Sequence, residues 1–231
     1  MNEGETYGIK VNRKKTKTMV VSKNRTPTIQ ISIGGHNIEK VDKFKYLGCL
    51  VNSALDPDQE IKSRIEQARS IFLKMRTFFS SKDLNLSLRY RMVKCYVYSV
   101  LLYGMETWTL KVNTLRRLES FEMWIFRRML RIPWTDHIRN EEVLRRMSMD
   151  RELLEIIKKR KTSYLGHILR HERYSFLQLI MEGKIEGKRG PGRRQMTWLR
   201  NINEWTGLDF QSLIRKAQDR LKFAEVIANL R

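Results

Sequence analysis

The stretch that decides the fold is PDQEIKSRIEQARSIFLKMRTFF, residues 57–79. Ahead of it, β-branched and apolar residues come in short runs split by Gly and polar turns. Past Pro57, Ile61, Ile65, Ala68, Phe72, Met75 and Phe79 recur at alternating spacings of four and three. Residues three and four apart share a helix face, so this series predicts a helix with a single apolar stripe. Asp56 and Asp58 flank the proline as candidate caps. The change of period divides the chain into strands before Pro57 and helices after it.

Three strand signals lie on the N-terminal side. KTMVVS, residues 17–22, reads as a first strand. TIQISIGGHNIEKV, residues 28–41, holds Gly34-Gly35 between β-branched runs, which is a hairpin signal. FKYLGCLV, residues 44–51, reads as a further strand of the same small antiparallel sheet. On the C-terminal side a helix is expected over 86–103, stopped by Gly104. It is apolar nearly all round from Met92 onward and is therefore expected at the centre of a helical cluster. The next helix, 114–132, turns Leu115, Leu118, Phe121, Ile125 and Met129 inward and is broken by Pro133. DHIRNEEVLRRM gives a short helix with Asn140 as candidate cap. A longer one runs from Asp150 to about Arg170, with Leu154, Ile157, Leu165 and Ile168 inward. Glycines and a proline forbid regular structure in EGKRGPGRRQ, residues 186–195. Helices resume over 196–205 and from Phe210, capped by Asp209. The fold class expected is α+β: a small N-terminal antiparallel β part followed by a mainly helical remainder. The organisation expected is a β part over 1–55, a helical bundle over 56–182, and a basic loop with C-terminal helices over 183–231.

Charge points to the partner. The 231 residues carry 46 Lys and Arg against 25 Asp and Glu, a net charge of +21. With 41% hydrophobic and 10% aromatic residues the chain can build a core, so it is not a disordered basic tail. Packed positive charge repels itself, and a polyanion relieves it. Nucleic acid is the leading candidate and an anionic membrane surface the second. Cys49 and Cys95 have no metal-like or CxxC spacing and read as free thiols in a reducing compartment. No secretory signal pattern follows Met1. The most apolar run, CYVYSVLLYG, is about half of the ~20 residues that span a bilayer. No membrane partner is expected, and an intracellular location, nuclear or cytoplasmic, follows.

Two basic clusters are candidate phosphate contacts. Lys14, Lys15 and Lys17 cluster around Asn12 at a strand entry, where a solvated charge run is the alternative. The acid-free loop GKRGPGRR carries Lys188, Arg189, Arg193 and Arg194. Its glycines let the backbone approach a phosphate strand and its arginines supply bidentate forks. Trp198 and Trp205 follow, either stacking on bases or, as the more economical reading, packing in the core. His167 and His171 stand four apart on a helix, a spacing that can serve a metal, but nothing completes a ligand set. No nucleophile elbow, P-loop or Cys–His signature occurs.

In order along the chain, GIKVNRKKTKTMVV, FKYLGCLV, LLYGMETWTL, FRRMLRIPWTDHIRNEEVL, YLGHILRHERY and GKRGPGRRQMTWLRNINEW resemble the C-terminal half of the reverse transcriptase of non-LTR (LINE-type) retrotransposons. The first matches the pattern Gly-Leu-x-x-Asn-x-x-Lys-Thr-Lys at Gly8, Asn12, Lys15, Thr16 and Lys17, with Ile9 in place of Leu. The second resembles the primer grip at the palm–thumb junction, matched by Tyr46, Leu47 and Gly48. The resemblance implies that the β part is a reverse-transcriptase palm remnant, that the bundle is a thumb, and that the partner is RNA or an RNA/DNA template–primer.

The same resemblance implies a limit. The family holds its catalytic Mg²⁺ on an Asp-Asp strand upstream of the first motif, and no Asp-Asp pair occurs in this sequence. Two-metal nucleotidyl transfer requires such carboxylates. No cofactor is therefore expected in this chain, and no polymerase activity from it alone. The expected function is that of a truncated remnant of an RNA-directed DNA polymerase that binds nucleic acid without sequence preference. The alternatives are a helical protein-interaction module, with a protein partner on the exposed palm edge, and an incomplete gene model of the full endonuclease–reverse transcriptase.

Overall fold

The computed structural model describes residues 7–8, 12, 15–21, 29–184, 186 and 197–230, which fall into two compact units, 1–62 and 63–231. The architecture is α+β, with two small antiparallel sheets near the N-terminus followed by helices.

In the first unit, β1 (Ser32–Ile33) and β2 (His36–Asn37) flank Gly34-Gly35. Both glycines take positive φ, 57° and 77°, as a two-residue hairpin of this kind requires. The stretch 44–51 differs from the single strand read in the sequence. It folds back on itself as β3 (Lys43–Tyr46) and β4 (Cys49–Asn52), with Tyr46 opposite Cys49. Leu47 and Gly48 form the turn, with φ of 47° and 85°. A leucine seldom adopts that region, which is why the turn is hidden in the sequence. The two hairpins form separate sheets rather than one. The expected strand over 17–22 is also absent from its described residues, which contribute a single parallel bridge, Thr18 to Lys40.

The second hairpin is tied to the helix that follows it, α1 (Asp58–Lys74). The Leu50 amide donates to Glu60 (2.7 Å), and Asn52 exchanges side-chain bonds with the Asp56 main chain at 2.8 and 3.0 Å. Asp56 accepts from the Asp58 amide (3.2 Å), filling the expected capping role.

The second unit takes in the rest of α1, then α2 (Arg76–Phe79), α3 (Leu86–Val93), a π-helical turn (Lys94–Tyr98), α4 (Ser99–Leu101), α5 (Val112–Met129), α6 (Asn140–Met147), α7 (Leu153–Arg170), α8 (Ser175–Glu182), α9 (Trp198–Thr206), α10 (Phe210–Ala217) and α11 (Arg220–Ala228). Ile65, Ala68, Phe72 and Phe79 are buried, as the four-and-three spacing predicts. Phe72 stacks on Phe79 (centroids 4.9 Å apart) and meets Trp124 edge-on (5.1 Å).

The helix expected over 86–103 is present as α3, the π-helical turn and α4, but it does not lie at the centre. Val93, Val97, Tyr98, Leu101 and Leu102 are buried, but Cys95, Tyr96, Ser99 and Tyr103 face out. Tyr96 and Tyr103 enter a helical wheel as apolar, yet each carries a hydroxyl that water serves well. The hub is α7, which packs against α5, α8, α9, α10, α11 and the turn at Met105–Thr107.

One expected cap is replaced, and α7 starts at Leu153 rather than at Asp150. Asn140 is the first helical residue of α6, and its side chain accepts from Arg127 (2.7 Å) instead. At the start of α7, the amides of Glu152 (3.1 Å) and Leu153 (2.9 Å) donate to Glu122 on α5, not to Asp150. Tyr98 donates to the same oxygen (3.1 Å). Burial pushes the Glu122 carboxyl pKa up, while these hydrogen bonds and Arg151 pull it back.

Gly166, on α7, marks a close helix crossing. A Cβ there would stand 2.4 Å from the ring of Phe223 on α11, a side chain only 1% exposed. Helix propensity alone favours Gly166→Ala by ~1 kcal/mol, but forcing a methyl into this contact costs about 1–3 kcal/mol. We expect Gly166→Ala to lower the thermal midpoint, and to be better tolerated in a Phe223→Leu background. A higher midpoint for the single variant would mean that α11 can move off α7 at no cost.

Candidate nucleic-acid interface

The residues singled out from the sequence fall in different places. Lys14, Lys188, Arg189, Arg193 and Arg194 lie outside the described residues. In the first unit, the Lys15 amide donates to both oxygens of Asn12, at 3.1 Å each, and the Thr16 amide to the Asn12 carbonyl (2.9 Å). This tight turn leaves Lys15 exposed. Lys17 is paired with the Glu39 carboxylate, which offsets its charge. Tyr46, Leu47 and Gly48 form the tip of the second hairpin, where Tyr46 is 61% and Leu47 75% exposed. A tip built this way presents a ring and a branched side chain to whatever lies against it.

The tryptophans of the C-terminal motif pack rather than stack on a free face. Trp198 and Trp205 flank the ammonium of Lys161, which lies 5.0 and 5.4 Å from their ring centres and is fully buried. Its Nζ donates to the Trp108 carbonyl (2.7 Å) and to Asn201 Oδ1 (2.9 Å). Asn201 also bonds both main-chain groups of Leu110, accepting from its amide (2.8 Å) and donating to its carbonyl (2.9 Å). Trp198 Nε1 donates to the Glu106 carbonyl (2.7 Å). The motifs LLYGMETWTL and TWLRNINEW, far apart in sequence, are thus two sides of one joint.

His167 and His171 stand with ring centres 4.3 Å apart, beside Tyr174 and Arg173. Partial burial, His171 and the nearby arginines lower the His167 pKa. No group of three or more His, Cys, Asp or Glu able to hold a metal ion occurs among the described residues. A cleft of ≈ 740 Å³ beside this pair has Glu106 as its lining carboxylate, and Arg160 engages it at 2.6 Å. His167 lines the same cleft.

Sequence reasoning missed one basic site. Arg76 on α2 and Arg128 and Arg131 at the end of α5 line a cleft of ≈ 360 Å³ with Ser80, Ile132 and Pro133. The cleft residues are about fifty positions apart, so no local motif reveals them. The signal available was FRRMLRIPW, a run with five apolar positions besides its proline, three arginines and no acid.

The chain is 26% identical over 206 residues to F52C9.6 of Caenorhabditis elegans, named as an uncharacterized transposon-derived protein, with 85% of this chain and 72% of that protein covered. This similarity points to a mobile-element origin. No family model matches the chain, and no solved structure matches it. No helix of the described residues is long and apolar enough to cross a membrane.

The buried lysine makes a pH prediction. Burial pushes the Lys161 pKa down to about 7 from 10.5. Between those values the unfolded chain holds a proton that the folded chain has released, so unfolding takes up a proton and stability rises with pH. Measured against Lys161→Met, the wild type should gain stability from pH 7 to pH 9 in urea titrations. A difference that stays constant over that range would mean that the ammonium remains charged throughout.

Proposed function

We propose that this chain holds nucleic acid in the manner of the palm tail, thumb and C-terminal region of a LINE-type RNA-directed DNA polymerase, gripping a template–primer by its backbone without reading its sequence. The observation that carries this reading is the net charge of +21 on a folded, mainly helical chain similar to a transposon-derived protein. The order of the motifs supports it, as does the exposed hairpin tip at Tyr46 and Leu47 where the resemblance puts the primer grip. Backbone contacts of this kind position a duplex and carry no sequence information. Lys15, Lys188, Arg189, Arg193 and Arg194 are the residues proposed to contact phosphate, with Lys14 and Lys17 contributing less.

A second reading, a protein-interaction module, has its own observation. Phe176, Leu179 and Ile180 on α8 are 69%, 43% and 48% exposed. Salt separates the two. Each phosphate contact contributes ~0.7–0.9 to the slope of log K against log salt. Fluorescence anisotropy of RNA and primed duplex should show tight binding at low salt, little sequence preference and a steep salt slope. Replacing Lys188, Arg189, Arg193 and Arg194 by Ala should weaken every sequence alike and flatten the slope by up to about four contacts. No binding by the wild type at low salt would favour the protein-interaction reading.

The chain as it stands has no Asp-Asp pair to hold two metal ions. Purified protein should therefore not extend a primer on RNA with Mg²⁺ or Mn²⁺. Extension above a buffer control, lost on mock purification, would overturn that expectation.

A further inference from the structure

We infer that the cleft between α2 and the end of α5 is a phosphate site, built from Arg76, Arg128 and Arg131, and that it seats a backbone phosphate of the bound nucleic acid. The second half of this statement rests on the function proposed above.

Three guanidinium groups converge on one cleft of ≈ 360 Å³, and its described lining contains no carboxylate. Elsewhere on this unit several of the described basic side chains have an acidic partner. Arg145 and Arg146 share Glu142, Lys159 meets Glu155, Arg160 meets Glu106, Arg200 meets Glu204, and Lys94 meets Glu152. Like charges brought together without a counterion repel, and a tetrahedral dianion or phosphodiester relieves them.

The cleft is also held in shape. Arg131 takes φ of 59°, a strained value for arginine, and its Nε donates to the Ser80 carbonyl (2.8 Å). This fixes the guanidinium plane while its terminal nitrogens stay available. Beneath it, buried Arg89 bonds the carbonyls of Phe79 (3.1 Å), Leu84 (3.1 Å) and Met129 (3.0 Å), tying the end of α2 to the end of α5. Burial and the charge of Arg131 lower the Arg89 pKa. Arg128 lies over the Trp124 ring (5.6 Å), which restrains its side chain. Restrained forks that need little ordering on binding favour bidentate contact with phosphate oxygens.

The test uses the full chain and two probes. Arg76→Gln/Arg128→Gln removes two charges from the cleft and leaves the Arg131 bond intact. Arg215→Gln/Lys216→Gln removes the same charge from α10 and serves as control. Inorganic pyrophosphate at ten times its Kd should raise the thermal midpoint of wild type and control by about 3–6 °C and leave the cleft variant unmoved. In anisotropy, the cleft variant should lose about 1–2 from the salt slope for RNA, beyond the loss shown by the control. Equal pyrophosphate shifts in all three proteins overturn the site. A pyrophosphate shift confined to proteins with an intact cleft, in a chain that binds no RNA or duplex, upholds the anion site and overturns the proposed function instead. Normal RNA binding with the same slope in both variants overturns the assignment of a backbone phosphate to this cleft.

Discussion

A lysine amino group sealed from water is a constraint on which the second unit depends. Charge in a protein interior is costly, and burial lowers the Lys161 pKa to about 7. In either protonation state its Nζ donates to two oxygens, from Trp108 and Asn201, between the faces of Trp198 and Trp205. These groups come from α9 and from the segment that leads into α5, so satisfying one buried donor fixes both against α7. Asn201 extends the joint by bonding both main-chain groups of Leu110. Removing any one member leaves a buried donor or acceptor exposed to nothing, and that costs more than the bond itself contributes.

The same helix carries two further fasteners. At its start, the Glu122 carboxylate meets the amides of residues 152 and 153, where the helix dipole favours negative charge. Further along, Gly166 lets Phe223 approach to a distance that no side chain would permit. A cap, a buried lysine and a backbone crossing therefore fall along the length of α7 and bind α5, α9 and α11 in turn. The apolar side chains buried by these helices, Leu118 and Phe126 on α5, Ile202 on α9 and Phe223 on α11 among them, surround the polar joints.

What was legible in the sequence follows from this. The stripe from Ile61 to Phe79 and the Gly34-Gly35 hairpin were legible because period and turn chemistry are local. The turn at Leu47-Gly48 was not, because a leucine at positive φ looks like a strand residue. The central helix was misplaced because Tyr96 and Tyr103 count as apolar on a wheel. Lys161 and Glu122 were overlooked because charged residues read as solvent-facing, yet position betrayed both. Lys161 stands midway between Ile157 and Leu165, and Glu122 between Leu118 and Ile125, each on a buried stripe. Of the candidate interface, Lys15 and the residues Tyr46, Leu47 and Gly48 came from motif, while the hairpin that carries the last three did not. The arginine cleft could not, since chain folding alone brings position 76 to positions 128 and 131.

Part of the charge in this protein is locally paired. Glu142, Glu155, Glu106 and Glu204 each sit three or four residues, or one helix packing, away from a basic partner, and exposed pairs of this kind contribute little stability. Their effect is to offset positive charge on the faces where they occur. The described lining of the cleft beside α2 contains no such acid. What makes the cluster tolerable without a ligand is the pair of helix ends beneath it. The carbonyls of Phe79, Ser80 and Met129 face outward from α2 and α5, and Arg89 and Arg131 satisfy them. These hydrogen bonds fix the two guanidinium groups in place, and no carboxylate among the described lining of the cleft offsets their charge.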